Sequence, residues 1–201
     1  MVSHDLRKPV GAVMSYSEFL AEELAGQIEE EHRRFLQVIQ HSGIRMRRLI
    51  DDFLDVAIME SGWVDLERRP VAFTELAEAA MQVIEPAARR HGISVRITIP
   101  DDLPPWSLDG PKIEQVLLNL MGNAVEHCGE GTSVQIVART EEGVLIVDVA
   151  DDGPGIPPSR VERLFNLTGD RGGNKNSGER SIGLGLVIVK RLVEAHGGRI
   201  R

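Results

Sequence analysis

The sequence predicts an α+β protein in two parts: an antiparallel helical hairpin over residues 1–62 and a mixed helix-and-strand half over 74–201, joined by a connector over 63–73. Three observations carry that expectation. Apolar residues recur at alternating four- and three-residue spacing along two early stretches. Later, short runs alternate apolar and polar residues. Glycine-rich turns then gather towards the end of the chain.

Composition sets the outer bounds. With 201 residues, 42% of them hydrophobic, the chain can bury a real core. Its net charge of -8 argues against a nucleic-acid partner, because binding phosphate backbones takes an excess of Lys and Arg. The one cysteine, Cys128, excludes an intramolecular disulfide framework, fits a reducing compartment and reads as a packing residue. The chain has no apolar run of about 18 residues and no signal-peptide pattern. The expectation is therefore a cytoplasmic portion, with any membrane segment outside it.

The first helix is predicted from Leu6, Val10, Val13, Leu20 and Leu24, with Ser17 filling the gap, which is the spacing of a coiled-coil seam. His4, Lys8, Ser15, Glu18 and Glu22 lie on other, polar azimuths, so His4 should project into water. Pro9 removes one backbone hydrogen bond and crowds the Asp5 carbonyl, predicting a bend just past His4-Asp5. Residues 25–31 make a short connection. A second seam then runs through Phe35, Ile39, Ser42, Met46, Leu49, Phe53 and Val56. Leu36, Ile50, Leu54 and Ala57 widen this stripe beyond what one helix covers. A homodimer forming a four-helix bundle would bury the surplus; packing on the chain's own second half is the alternative. His32 and His41 read as surface residues, and Ser61-Gly62 as the helix stop.

In the second half, Thr74 is the expected N-cap of a helix over 76–91 that stops at Gly92. Ile93, Val95, Ile97 and Ile99 mark a half-buried strand. After a turn over 101–105 and a short extended piece over 106–108, Asp109 caps another helix, with Val116, Leu117, Leu120, Met121 and Val125 on its apolar side. Strands over 133–139 and 144–150 form a hairpin around residues 140–143. A short helix ends near Leu164-Phe165, and a last one over 187–196 is closed by Gly197-Gly198.

Several constellations on this frame carry chemistry. His4 beside Asp5 is a candidate phosphoryl acceptor, one ring nitrogen attacking while the carboxylate holds the tautomer; a solvated helix surface is the plainer reading. Asn119 and Asn123 are four residues apart and stack on one helix face. They make either a structural hydrogen-bonding pair or oxygen ligands for a phosphate-bound Mg²⁺. In Asp151-Asp152-Gly153-Pro154-Gly155-Ile156-Pro157, two glycines at a strand end let backbone approach a ligand, and a buried carboxylate there can accept from an amino group such as that of adenine. A Gly-Pro turn is the alternative. Residues 169–180 are too polar to pack a core and read as a loop or a lid, in which Arg171, Lys175 and Arg180 would add positive charge. Gly183-Leu184-Gly185-Leu186 opens a helix, where free amides and the helix dipole make a phosphate cradle.

Taken in order, these pieces resemble a sensor histidine kinase of two-component signalling over essentially the whole chain. Ser3-His4-Asp5-Leu6-Arg7-Lys8-Pro9 is similar to that family's H box, and Asn119-Leu120-Met121-Gly122-Asn123-Ala124 to its N box. Asp151 to Pro157 is similar to the G1 box, Leu164-Phe165 to a reduced F box, and Gly183 to Gly185, with His196-Gly197-Gly198, to the G2 box. The resemblance implies a dimerisation and phosphotransfer hairpin followed by an α/β sandwich with a mixed sheet and an ATP lid, of the gyrase and heat-shock protein 90 superfamily. It implies ATP and Mg²⁺ as cofactors. Asn123 would hold the metal with Asn119 beside it, and Asp151 would read adenine. Gly153, Gly155, Gly183, Leu184 and Gly185 would line the nucleotide. The γ-phosphoryl would pass to His4, with Asp5 as general base, and then to an aspartate of a response regulator.

Asn119 separates this reading from a simple ATPase, because hydrolytic relatives place a water-activating glutamate there and an amide cannot take a proton. A catalytically quiet dimeric scaffold is the other alternative. Three positions depart from the family pattern. Glu126 stands where a basic residue is frequent, Lys8 where a threonine or asparagine orients water for dephosphorylation, and Thr168 where a second aromatic belongs. The family also continues into further strands after the point corresponding to Arg201, so a fragment is expected.

Overall fold

The computed structural model describes residues 2–24, 26–60, 65–161, 164–165 and 184–201, with the side chains of 2–5, 58–60 and 159 left aside. The chain divides into two compact units, Met1–Gly62 and Trp63–Arg201.

The first unit is a pair of helices, α1 (Val2–Glu23) and α2 (Glu30–Glu60). The connection turns through Gly26 at φ +82°, a conformation that favours glycine. Glu30 and Glu31, expected in the connection, instead form the first turn of α2, where the helix dipole favours acidic residues. The helices run antiparallel, since Arg7 near the start of α1 pairs with Asp51 towards the end of α2 at 2.7 Å. α1 passes through Pro9 without a break in its assignment.

The contact inside the hairpin differs from the predicted seams. Val10, Ser17 and Val56 of those seams are buried, together with Gly43. A Cβ on Gly43 would lie 2.5 Å from Met14 Cγ, so the Met14 side chain fills the space that a side chain at this position would need. By contrast Leu6, Val13, Leu20, Phe35, Ile39, Met46 and Phe53 remain exposed. Each helix carries two apolar stripes and one partner covers only one of them. The stripe that packs inside the hairpin holds Val10, Ser17, Gly43 and Val56 with the half-buried Met14, Leu36, Leu49, Ile50 and Leu54, and the other stripe stays outside, joined by Tyr16, Phe19 and Val38.

Near the Arg7–Asp51 pair, Asp52 is half-buried. Burial, followed by the neighbouring charges of Asp55 and Asp51, pushes its carboxyl up to about 6, against the opposing pull of Arg48. A carboxyl with a raised folded-state pKa binds protons more tightly folded than unfolded. Its charged form therefore destabilises the hairpin above pH 6, and that cost is relieved as pH falls towards 4. Asp52→Asn is expected to raise the melting temperature at pH 7.5 and to leave it almost unchanged at pH 4. An equal shift at both pH values in thermal melts would contradict this.

In the second unit a mixed three-stranded sheet is covered by helices. β2 (Ser94–Thr98) runs parallel to β4 (Ser133–Glu141), and β4 runs antiparallel to β5 (Val144–Asp151). α3 (Phe73–Arg90), α4 (Gly110–His127) and α6 (Leu184–Ala195) make the helical layer, and α5 (Pro158–Val161) is a single turn. The core lies between the layers, where Phe73, Ala77, Ala80, Leu117 and Met121 meet Ile136 and Ala138 of β4. None of the described helices is long and apolar enough to cross a membrane.

Three local expectations are corrected. The predicted connector contains a strand, β1 (Arg69–Val71), which pairs antiparallel with β3 (Trp106–Leu108). α3 begins at Phe73, with Ala72 in the cap position and no side-chain cap, so Thr74 lies within the first turn; the burial of Phe73 in the core sets that start. The β4–β5 turn is only Glu142-Gly143, both at positive φ (49° and 78°), which matches the twist of the flanking strands and lengthens both.

Candidate functional site

The site is organised along α4. Asp109 caps this helix, its side chain accepting from the Lys112 N–H at 3.2 Å, and Pro111 sets the first turn. Val116, Leu117, Met121, Ala124 and Val125 are buried, while Leu120 is only half-buried. The turn of the helix that buries those residues leaves Asn119 and Asn123 half-buried, one above the other.

Asn119 lies against the first turn of α6. A Cβ on Gly185 would come within 3.2 Å of Asn119 Oδ1, so the glycine is what lets the amide in. Leu184 opens α6, and Val187, Ile188, Val189 and Leu192 anchor it in the core. The structure thus brings together Asn119 and Gly185, which lie far apart in the chain.

At the other end of α4, Cys128 occupies the C-cap position, about 13 Å from Asn119 at roughly 1.5 Å per residue along the helix. Its thiol hydrogen-bonds the Asp151 carboxylate, and burial followed by Asp151 pushes the thiol pKa up. Gly153 is wedged against both groups, since a Cβ there would sit 2.8 Å from Asp151 Oδ1 and 2.9 Å from Cys128 Sγ. Cys128 packs against the core, as expected, and also lies beside Asp151. Asp151 was expected to be buried but is exposed; it ends β5 and turns back to accept from the Gly153 N–H at 3.0 Å. Gly155 adopts φ +70°, a further reason for glycine in this turn.

Sequence reasoning missed two elements here. Asp152 accepts from the Ser133 N–H at 2.6 Å and its hydroxyl at 2.7 Å, which lowers the Asp152 pKa and locks the end of β5 to the start of β4. An Asp next to a predicted strand end was the available signal. The second is the partnership of Asp109 with His196, whose Nε2 accepts from the Asp109 backbone N–H. Glu126 is exposed. The side chains of His4 and Asp5, together with Gly183, Thr168, Arg171, Lys175 and Arg180, lie outside the described residues.

The chemistry fits a nucleotide and its metal. Gly153 and Gly185 mark places that a Cβ would fill, and amide oxygens are the donors that Mg²⁺ accepts beside phosphates. A helical hairpin ahead of a helix-on-sheet layer defines a class of protein, and the comparisons identify it. The family described as His Kinase A (phospho-acceptor) domain matches residues 1–62. That described as histidine kinase-, DNA gyrase B-, and HSP90-like ATPase matches residues 108–201. Among curated relatives, the sensor protein KdpD of Escherichia coli strain K12 is 34% identical over 99% of this chain and 22% of its own length. The histidine protein kinase DivJ of Caulobacter vibrioides is 31% identical over 99% of this chain and 33% of its own. The crystal structure of full-length ShkA in complex with AMPPNP superposes with a TM-score of 0.79 at 28% identity, covering 98% of this chain and 40% of that one. The chain thus spans about a fifth to a third of the curated relatives' length. It belongs to the sensor histidine kinase family and forms a kinase core.

Proposed function

We propose that this chain autophosphorylates on His4 with ATP and passes the phosphoryl group to an aspartate of a response regulator. One observation carries the reading: the Asn119 amide is seated against Gly185 at the start of α6, the end of a helix that favours phosphate. An imidazole nitrogen of His4 attacks the γ-phosphorus, and the bond to the ADP oxygen breaks, leaving phosphohistidine and ADP. Asp5 orients the ring through its other nitrogen and takes up the proton. Asp151 accepts from the adenine amino group, and Gly153, Gly155, Gly183 and Gly185 give the nucleotide backbone room, with Leu184 between the last two. Asn123 would hold Mg²⁺, with Asn119 beside it. Mg²⁺, when bound, neutralises charge on the phosphates.

The exposed stripe of Leu6, Val13, Leu20, Phe35, Ile39, Met46 and Phe53 supports homodimerisation through the hairpin. The cytoplasm, where ATP and response regulators occur, is the compartment this function requires.

Incubation with γ-labelled ATP and Mg²⁺ tests the reading. Acid-labile, alkali-stable label on the chain is the expected result. Nucleotide binding without label would favour a quiet scaffold, and steady phosphate release without label an ATPase. Lys8 stands where a water-orienting residue assists dephosphorylation of the regulator, so that activity is expected to be weak. Lys8→Thr should raise it, measured as loss of label from a phosphorylated regulator; no gain would remove this role.

A further inference from the structure

Ser17 and Asp109 are the buried polar residues among those described. Every polar edge of Asp109 is engaged. One carboxylate oxygen accepts from the Lys112 N–H at 3.2 Å and the other from the Glu67 N–H at 2.9 Å, while its own N–H donates to His196 Nε2 at 3.1 Å. His196 Nδ1 lies 2.8 Å from the Leu192 carbonyl. A carbonyl can only accept, so Nδ1 carries the proton and Nε2 is left free to accept from Asp109; one tautomer satisfies both bonds. Beside them Arg68 donates to the Ala195 carbonyl at 2.7 Å.

We propose that Asp109 and His196 are positioning residues that hold α4 and α6 in the register needed to bind nucleotide, with Glu67 and Arg68 tethered to the same joint. This inference rests on the nucleotide-site reading above. The argument is one of lever arms. From Asp109 to Asn119 along α4 is about 15 Å, and from His196 back to Gly185 along α6 is about 16 Å, at roughly 1.5 Å per residue. The two helices therefore meet twice, through the His196–Asp109 bond at one end and through Gly185 against Asn119 at the other. Helices pass a displacement along their axes with little loss. A shift of α6 at the joint thus reappears where Gly185 lies beside Asn119, a place where even one added methyl group would be tight.

The test measures the dissociation constant of the full chain for a non-hydrolysable ATP analogue, about 20 °C below each variant's own melting temperature, a margin wide enough to keep the folded state dominant. His196→Phe keeps an aromatic ring but removes the acceptor, and should weaken binding about tenfold, the scale of one buried hydrogen bond. His196→Gln, whose amide oxygen can take the place of Nε2, should restore most of that loss. Ile136→Val, in the buried middle of β4, should lower the melting temperature and leave affinity alone. Unchanged affinity in His196→Phe, with only a lower melting temperature, would reduce the pair to a structural role and overturn the proposal. If His196→Phe does not fold, Arg68→Ala on the exposed tether decides: weaker binding supports the joint, and unchanged binding overturns it. Failure of the unaltered chain to bind the analogue overturns the nucleotide-site reading itself, which separates the two failures.

Discussion

A His4→Gln variant is expected to take up no acid-labile phosphate from γ-labelled ATP while binding nucleotide as tightly as the unaltered chain. Glutamine keeps the polarity and the helix propensity of the position but offers no nucleophilic ring nitrogen. Loss of a nucleophile costs on the order of 10³-fold or more in rate, so the label should fall to background. The position is in the first turns of α1, in the first unit, whereas the residues proposed to bind nucleotide belong to the second. Persistent label at the same rate would place the acceptor elsewhere and remove the central assignment.

Asp151→Asn carries the second large effect. An amide presents an NH₂ towards adenine's own amino group, and two donors cannot bond each other. Its remaining oxygen can still accept from the Gly153 N–H as Asp151 does, so the turn should survive. A lost hydrogen bond to a charged acceptor is worth about 1.5–3 kcal/mol, which converts to a roughly 10- to 150-fold weaker dissociation constant for ATP. The loss should be smaller for GTP, whose base has a carbonyl at the corresponding edge. Titration of both nucleotides against the variant measures this, and equal losses for the two would argue that Asp151 does not read the base.

Much of this molecule was legible before its structure. Asp109 as a cap, Gly92 as a stop, the paired asparagines on one face and the glycine turn after β5 are local features, decided within a few residues by backbone geometry and side-chain chemistry. Which apolar stripe of each hairpin helix would pack inward was not local. Leu6 and Val10 are equally good seam residues in sequence, yet Val10 is buried and Leu6 is not, on a face where Met14 also packs over Gly43. The start of α3 was misplaced for a similar reason, since the core buries Phe73 and pulls the first turn ahead of Thr74.

By itself, then, the sequence determined most element types, though not strand β1, together with the order of the motifs and the chemistry each can support, because those depend on residues close together in the chain. Tertiary structure alone decided that Asn119 lies beside Gly185, that Cys128 and Gly153 flank the exposed Asp151 and that His196 accepts from Asp109. Those contacts join residues whose neighbours say nothing of one another. They form only when burying the core shared by α3, α4 and the sheet, together with the buried face of α6, offsets the entropy of closing the long loops between them.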